Sequence, residues 1–252
     1  MGKKQARHRR ILAELEQRPA LRVAELAEML AVSTETVRRD FDELSMLGQV
    51  SRTYGGAVRR SSSEPSVNER HHLLVAERER MSKAVPGLLV GAKTVMFGSG
   101  ATTVHVARRL AIEMNDLTVI AHSFGVATML SLNPTITVII APGRYHAAEG
   151  STQGAQTLRF LEDFRADWAV IGASGLGLDG PSDALVEEAE VYRGMVARCD
   201  RLMVVADHSK FLARFPARYA QWAQVDTLVT DLPPDRPLAK ALADAEVRVV
   251  IA

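Results

Sequence analysis

Residues 33–44 read STETVRRDFDEL. Ser33 is a natural helix cap, able to accept a backbone N–H from the first turn that follows it. Val37, Phe41 and Leu44 fall at i, i+4 and i+7, which makes one apolar stripe on a helix. Arg38 and Arg39 flank that stripe rather than join it. Positive charge one turn inside a helix N-terminus is disfavoured by the helix dipole. Two arginines there imply something negative outside the chain.

The neighbouring sequence gives that helix a setting. Residues 7–17 (RHRRILAELEQ) place Ile11, Leu12 and Leu15 on one helical face, and Pro19 ends the segment. Residues 23–30 (VAELAEML) repeat the pattern with Val23, Leu26, Ala27 and Leu30. Ala31-Val32 turn the chain into the third helix, which runs to about Leu47 and stops at Gly48. Residues 49–58 (QVSRTYGGAV) read as two short strands around Tyr-Gly-Gly. Three short helices and a hairpin form a winged helix-turn-helix over residues 1–58. In that motif the third helix enters the DNA major groove by its N-terminal half. The candidate DNA contacts there are Ser33, Thr34, Thr36, Arg38 and Arg39. Arginine can bind guanine in bidentate fashion or grip phosphate. In the wing, Arg52 and Tyr54 can reach backbone or minor groove, and Gly55-Gly56 allow close approach. The bland alternative is a structural three-helix unit whose arginines pair with Asp40, Asp42 or Glu43.

SxxTVRRDF at 33–41, followed by RTYGGA at 52–57, resembles the DNA-binding domain of the deoxyribose-operon repressor (DeoR) family. The resemblance implies a bacterial transcription regulator, most often a repressor of a sugar catabolic operon.

Charge agrees with a DNA-facing front. The 252 residues carry a net charge of only +1. Residues 1–60, however, hold 12 Lys/Arg against 8 Asp/Glu, a net of +4, and the remainder is net −3. A basic front on an acidic body fits a polyanionic partner. Cys199 is the one cysteine, so an internal disulfide is impossible and a cysteine-based zinc site is not expected. It reads as a small core residue near a helix end. Neither a run of ~20 apolar residues nor a leader-type apolar stretch after MGKKQARHRR is present, so a soluble cytoplasmic protein is expected.

Residues 59–68 (RRSSSEPSVN) have linker composition, and a linker is expected over 59–75. Residues 69–85 are charged and helical in pattern up to Pro86. The body, 76–252, then alternates short apolar β-rich runs (TVMF, LTVIA, TITVIIA, WAVIGA, RLMVVAD, DTLVTD, VRVVIA) with helical segments near 101–113, 123–131, 153–163, 184–199 and 235–243. That alternation predicts an α/β fold, a mostly parallel sheet with helices on both faces.

Ligands of open α/β sheets bind at the carboxyl ends of strands. After TVMF comes Gly98-Ser99-Gly100-Ala101-Thr102-Thr103 and then a helix, a Gly-rich turn whose N–H groups and hydroxyls suit an anion. After RLMVVA comes Asp207-His208-Ser209-Lys210, and Lys210 can neutralise a phosphate. WAVIGASG ends in Gly172, Ser174 and Gly175, backbone that can approach a ligand. The run Glu187-Glu188-Ala189-Glu190 can bind sugar hydroxyls, or be a solvated helix face.

These pieces resemble the effector domain of the same family, which is similar to ribose-5-phosphate isomerase. The resemblance spans about residues 7–252. It implies an effector site made of Ser99, Gly100, Ala101, Thr102, Thr103, Glu187, Asp207 and Lys210; the strand-end reading adds Gly172, and His122, where the chain departs from the family, is a further candidate contact. Two departures stand out. Gly98 and Ala101 replace a family Asp and Thr, and Ala121-His122-Ser123 replaces Thr-Asn-Ser. Losing a carboxylate and gaining an imidazole changes the hydroxyl pattern or charge the pocket would accept. The implied partners are double-stranded operator DNA, a phosphorylated sugar or polyol, and further copies of the chain in a dimer or tetramer. No cofactor, metal, membrane or catalytic residue is implied. The rival reading is an isomerase-like enzyme fused to a DNA-binding domain. The segment GASGLGLDGPSDALVEE lacks the Lys and glycine run of those isomerases, although Glu187 or Glu188 could act as a base. A third reading makes the body an oligomerisation module alone.

Overall fold

A computed structural model describes residues 3–18, 20–46, 50–53, 56–59 and 65–252. The chain divides into two compact units, Met1–Glu69 and Arg70–Ala252.

The first unit contains α1 (Lys3–Gln17), β1 (Ala20–Arg22), α2 (Val23–Leu30), α3 (Thr34–Met46), β2 (Val50–Thr53) and β3 (Gly56–Arg59). Its core is the apolar stripe of each helix. Ile11 and Leu15 of α1, Leu26 of α2, and Val37, Phe41 and Leu44 of α3 are all essentially inaccessible. The chain turns between α2 and α3 at Ala31, which takes a left-handed conformation (φ 51°, ψ 47°). β2 and β3 pair antiparallel as the expected hairpin. β1, which the sequence did not disclose, adds a third strand against β3. This is a winged helix-turn-helix. Pro19, Leu47, Gly48, Tyr54 and Gly55 lie outside the described residues, as does the side chain of Arg52.

α4 (Val67–Arg70) is followed by α5 (Val75–Leu88). Here the structure corrects the sequence in two ways. The helical pattern of 69–85 is broken at Leu74, whose left-handed backbone (φ 48°, ψ 41°) separates α4 from α5. Pro86 does not end α5 but lies inside it. One lost N–H so near the end costs little, and the last turn closes with Leu89 donating to the carbonyls of Val85 and Pro86.

The second unit continues with β4 (Thr94–Phe97), α6 (Ala101–Glu113), β5 (Thr118–Ala121), α7 (Phe124–Leu130), β6 (Thr137–Ile140), β7 (Arg144–His146), β8 (Ser151–Gln153), α8 (Ala155–Glu162) and β9 (Ala166–Ile171). Then come β10 (Gly175–Gly177), β11 (Gly180–Asp183), α9 (Val186–Val196), β12 (Cys199–Val205), β13 (Ala217–Arg218), β14 (Thr227–Thr230), α10 (Arg236–Asp244) and β15 (Arg248–Ile251). Seven strands form one parallel sheet in the order β15-β14-β12-β9-β4-β5-β6. Successive strand residues face opposite sides. Val95 and Phe97 pack with α5, α6 and α7, whereas Met96 packs with α9 on the other face. Both faces are therefore buried, which is why the strands are continuously apolar.

Strand order sets the ligand crevice. From β4 the chain moves outward through β5 and β6, then returns to β9 on the other side of β4. The topological switch point thus lies between β4 and β9, where a crevice opens beyond the strand ends. The residues following those two strands are 98–103 and 172–174.

Candidate functional site

In the first unit, Ser33 caps α3: its hydroxyl accepts from the Thr36 amide at 3.2 Å. The side chains of Arg38 and Arg39 are 58% and 77% exposed. Both lie near Glu35 of the same helix, at 3.8 and 3.5 Å. Thr34 is exposed and Thr36 half-buried beside them. Two of the three acidic partners that the bland alternative names, Asp40 and Glu43, are engaged by α1. Asp40 is buried and receives Arg7 at 2.5 and 2.8 Å and His8 at 3.0 Å. Glu43 takes Lys4 at 2.6 Å. A long, exposed pair with Glu35 is worth little, so the α3 surface presents two guanidiniums and a threonine. Gly56 answers to its own sheet. A Cβ there would stand 2.2 Å from the Leu21 carbonyl oxygen, so β1 can approach β3 only with glycine at this position.

In the second unit, the loop after β4 is anchored from several sides. The Gly98 amide donates to the Val170 carbonyl at 3.0 Å. A Cβ on Gly98 would come within 3.0 Å of the Tyr192 ring and 3.2 Å of Ile171, which explains glycine at this place. The Ser99 amide donates to Nε2 of His122 at 3.1 Å, and Nδ1 of His122 contacts the Thr152 carbonyl at 2.9 Å. Those two partners require the neutral imidazole with its proton on Nδ1. His122 is fully buried, and neither ring nitrogen is left for a ligand in this arrangement.

The acidic run divides at this site. Glu187 stays on the rim, 52% exposed and 3.9 Å from Arg144. Glu188 turns inward and is 1% exposed. Its carboxylate accepts from the hydroxyl of Ser99 at 3.1 Å, the amide of Gln153 at 2.8 Å and the hydroxyl of Ser151. Burial and the charge of Glu188 push the Tyr192 phenol well above its ordinary range. Tyr192 therefore stays protonated and donates to the Ser99 carbonyl at 3.2 Å. Ser151, Gln153 and Tyr192 were not singled out from sequence. The i, i+4 spacing of Glu188 and Tyr192 on α9 was the available signal; the hairpin residues carried none.

Gly100 sits at φ 126°, a glycine conformation, immediately before α6. Thr103 turns its hydroxyl back to the Gly100 carbonyl at 2.9 Å, and Ala101 is buried. Thr102 is half-buried at the first turn. The first-turn amides of a helix have no intrahelical acceptor, so this end of α6 offers donors and a partial positive charge. Gly172 lies beside the loop: a Cβ on it would be 3.6 Å from the Ser99 carbonyl oxygen and 3.9 Å from that of Val205.

After β12, Asp207 is 1% exposed. It caps the short turn His208–Lys210 by accepting from the Ser209 amide at 3.1 Å and from the Ser209 hydroxyl. Lys210 ends that turn and is half-buried. His208 is tied to Asp231 by its amide at 2.7 Å and its Nδ1 at 2.6 Å. Ser99, Gly172 and His122 thus come together directly. Asp207 and Lys210 occupy the same carboxyl end of the sheet, and Glu187 is replaced inside by Glu188. Among the described residues no group of three or more His, Cys, Asp or Glu is placed to hold a metal ion. No described helix is long and apolar enough to cross a membrane.

Comparison with known proteins bears on both units. Residues 7–63 match the DeoR-like helix-turn-helix domain, and residues 74–232 match the DeoR C terminal sensor domain. The chain is similar to the HTH-type transcriptional repressor CsqR of Escherichia coli (strain K12), 33% identical over 247 residues, covering 97% of this chain and 94% of that protein. It is 29% identical over 252 residues to the Glycerol-3-phosphate regulon repressor of the same strain, covering 98% of each. Among solved structures, ribose 5-phosphate isomerase A of Methanocaldococcus jannaschii aligns with 53% of this chain and 52% of its own, at 16% identity and a TM-score of 0.38.

Proposed function

This chain belongs to the DeoR family, and from that premise we propose that it represses a carbohydrate or polyol catabolic operon and leaves its operator when a small phosphorylated sugar or polyol binds. As a member of a regulatory DNA-binding family, it is a transcriptional repressor and not an enzyme. The observation that carries the finer reading is the end of α6 at the switch point. Its first-turn amides and Thr102 supply donors, and Lys210, at the end of the turn after β12, supplies a full positive charge. Glu188, His122 and Tyr192 hold the loop from behind rather than touch the effector. A sensor requires no chemistry from these groups. The effector need only prefer one of two arrangements of the protein.

The test is an electrophoretic shift on the DNA upstream of the protein's own operon. A panel of phosphorylated sugars and polyols, glycerol 3-phosphate among them, is added to the complex. One panel member is expected to release the DNA. A charge-assisted contact is worth about 1.5–3 kcal/mol, so Lys210→Ala should raise the releasing concentration roughly tenfold to a hundredfold. Release at the parent's concentration by that variant, or steady turnover of a sugar phosphate by the parent, contradicts the reading.

A further inference from the structure

Arg78 of α5 is buried in a place that no part of the DNA or effector reading uses: its side chain is 4% exposed. One terminal nitrogen donates to the carbonyls of Arg70 and Leu73, the latter at 2.6 Å. The other faces Oδ2 of Asp207 at 3.6 Å. That carboxylate oxygen has no hydrogen-bond partner among the described residues, while its twin fastens the turn that ends in Lys210. Arg70 is held in its own right, its guanidinium pairing with Glu149 of the β7–β8 turn. Two residues on, Ser151 donates to Glu188. Burial, and next the charge of Arg78, hold the imidazoles of His71 and His105 below their ordinary range. They stay neutral at pH 7, so the positive charge around them comes from arginines, Arg78 first among them.

We propose that Arg78 is a positioning residue that couples the Asp207–Lys210 turn to residues 70–74, the segment by which the chain enters the second unit. The proposal rests on the reading of that turn as part of the effector site. At 3.6 Å the Asp207 contact is longer than a hydrogen bond, whereas the two carbonyl contacts are made. A buried carboxylate is not left behind by its cation without a large desolvation penalty. When the turn shifts around a bound anion, Arg78 follows Asp207 and loosens its hold on the Arg70 and Leu73 carbonyls. Leu74, already left-handed, gives that segment a natural place to bend. An event at the strand ends thereby reaches the linker through one guanidinium.

The test needs no identified effector. In the full-length protein, Asp207→Asn keeps the side-chain shape and removes the charge. Amides 71–76 are expected to exchange with deuterium at least tenfold faster, with those of α6 and α9 unchanged, and operator affinity should shift at least threefold. Arg78→Lys keeps the charge but lacks the fork needed for two carbonyls and a carboxylate at once. It should reproduce the phenotype, and the double variant should shift operator affinity no further than either single one. If Arg78→Lys does not fold, Glu149→Gln, which loosens the Arg70 anchor, replaces it in the cycle under the same expectation. Parent-like exchange and affinity in Asp207→Asn overturn the proposal. So do additive shifts, or faster exchange spread equally through α6 and α9, which would mark a purely structural role. A saturating cycle in a protein that no phosphorylated sugar or polyol releases from DNA would sink the effector reading and leave the coupling standing. Release by a panel member with an additive cycle would do the reverse.

Discussion

Asp40 lies on the helix whose other face carries Arg38 and Arg39, yet it points inward and ties α3 to α1. Burial raises its pKa, but the hydrogen bonds from Arg7 and His8 outweigh burial, and the carboxyl titrates below its ordinary range. A carboxyl depressed in this way adds stability above the unfolded-state value of about 4. That contribution is lost as pH falls through the lower folded value. Asp40→Asn should therefore cost the first unit roughly 2–3 kcal/mol at pH 7 and flatten its acid sensitivity. Hydrogen exchange of the α1 and α3 amides at pH 7 and pH 4 measures both effects; equal protection in parent and variant at pH 7 would remove the role assigned here. His122 and Glu188 teach a similar lesson in the second unit. Each looked like a group that could meet a ligand or act as a base, and each is consumed inside the protein.

At the scale of the element, α3 answers the question its two arginines raised. Glu35, in the first turn, offsets the unfavourable dipole term, and its ion pairs are long and exposed. Such pairs yield readily to phosphate or to a guanine edge. Arg38→Ala should weaken operator binding by roughly tenfold or more if the contact is a bidentate base pair, and less, without loss of sequence preference, if it is to phosphate. Footprinting and circular dichroism on the same sample separate loss of contact from loss of helix. An unchanged footprint would mean that another face of the unit meets DNA. The seven main strands were legible from sequence because each is a short apolar run between helical patterns. β7, β8, β10, β11 and β13 were not. Segments such as GPSD carry neither alternation nor β-branched residues, and they are strands only because a partner lies beside them.

At the scale of the whole molecule, one α3 and one wing cover a single half-site, and half-sites lie about 34 Å apart or a multiple of it. We expect a symmetric oligomer, at least a dimer, joined through the second unit, because the apolar stripes of the first are spent on its own core. Sedimentation at micromolar concentration should show it; a monomer that still binds a full operator tightly would refute it. The sequence by itself determined the two-part build, the winged helix-turn-helix, the parallel sheet and the loops at its carboxyl end. Each of these depends on periodicity, caps and turn residues, which are properties of neighbouring positions. The tertiary structure alone decided which polar groups those loops keep for themselves. Glu188 rather than Glu187 turns inward, to meet Ser99 and Ser151, 89 and 37 residues away. Asp40 finds Arg7 across 33 residues, and Arg78 finds Asp207, far along the sequence, at 3.6 Å. Those pairings follow from the requirement that a buried charge be satisfied by whatever the fold brings near it, and no local pattern encodes what that will be.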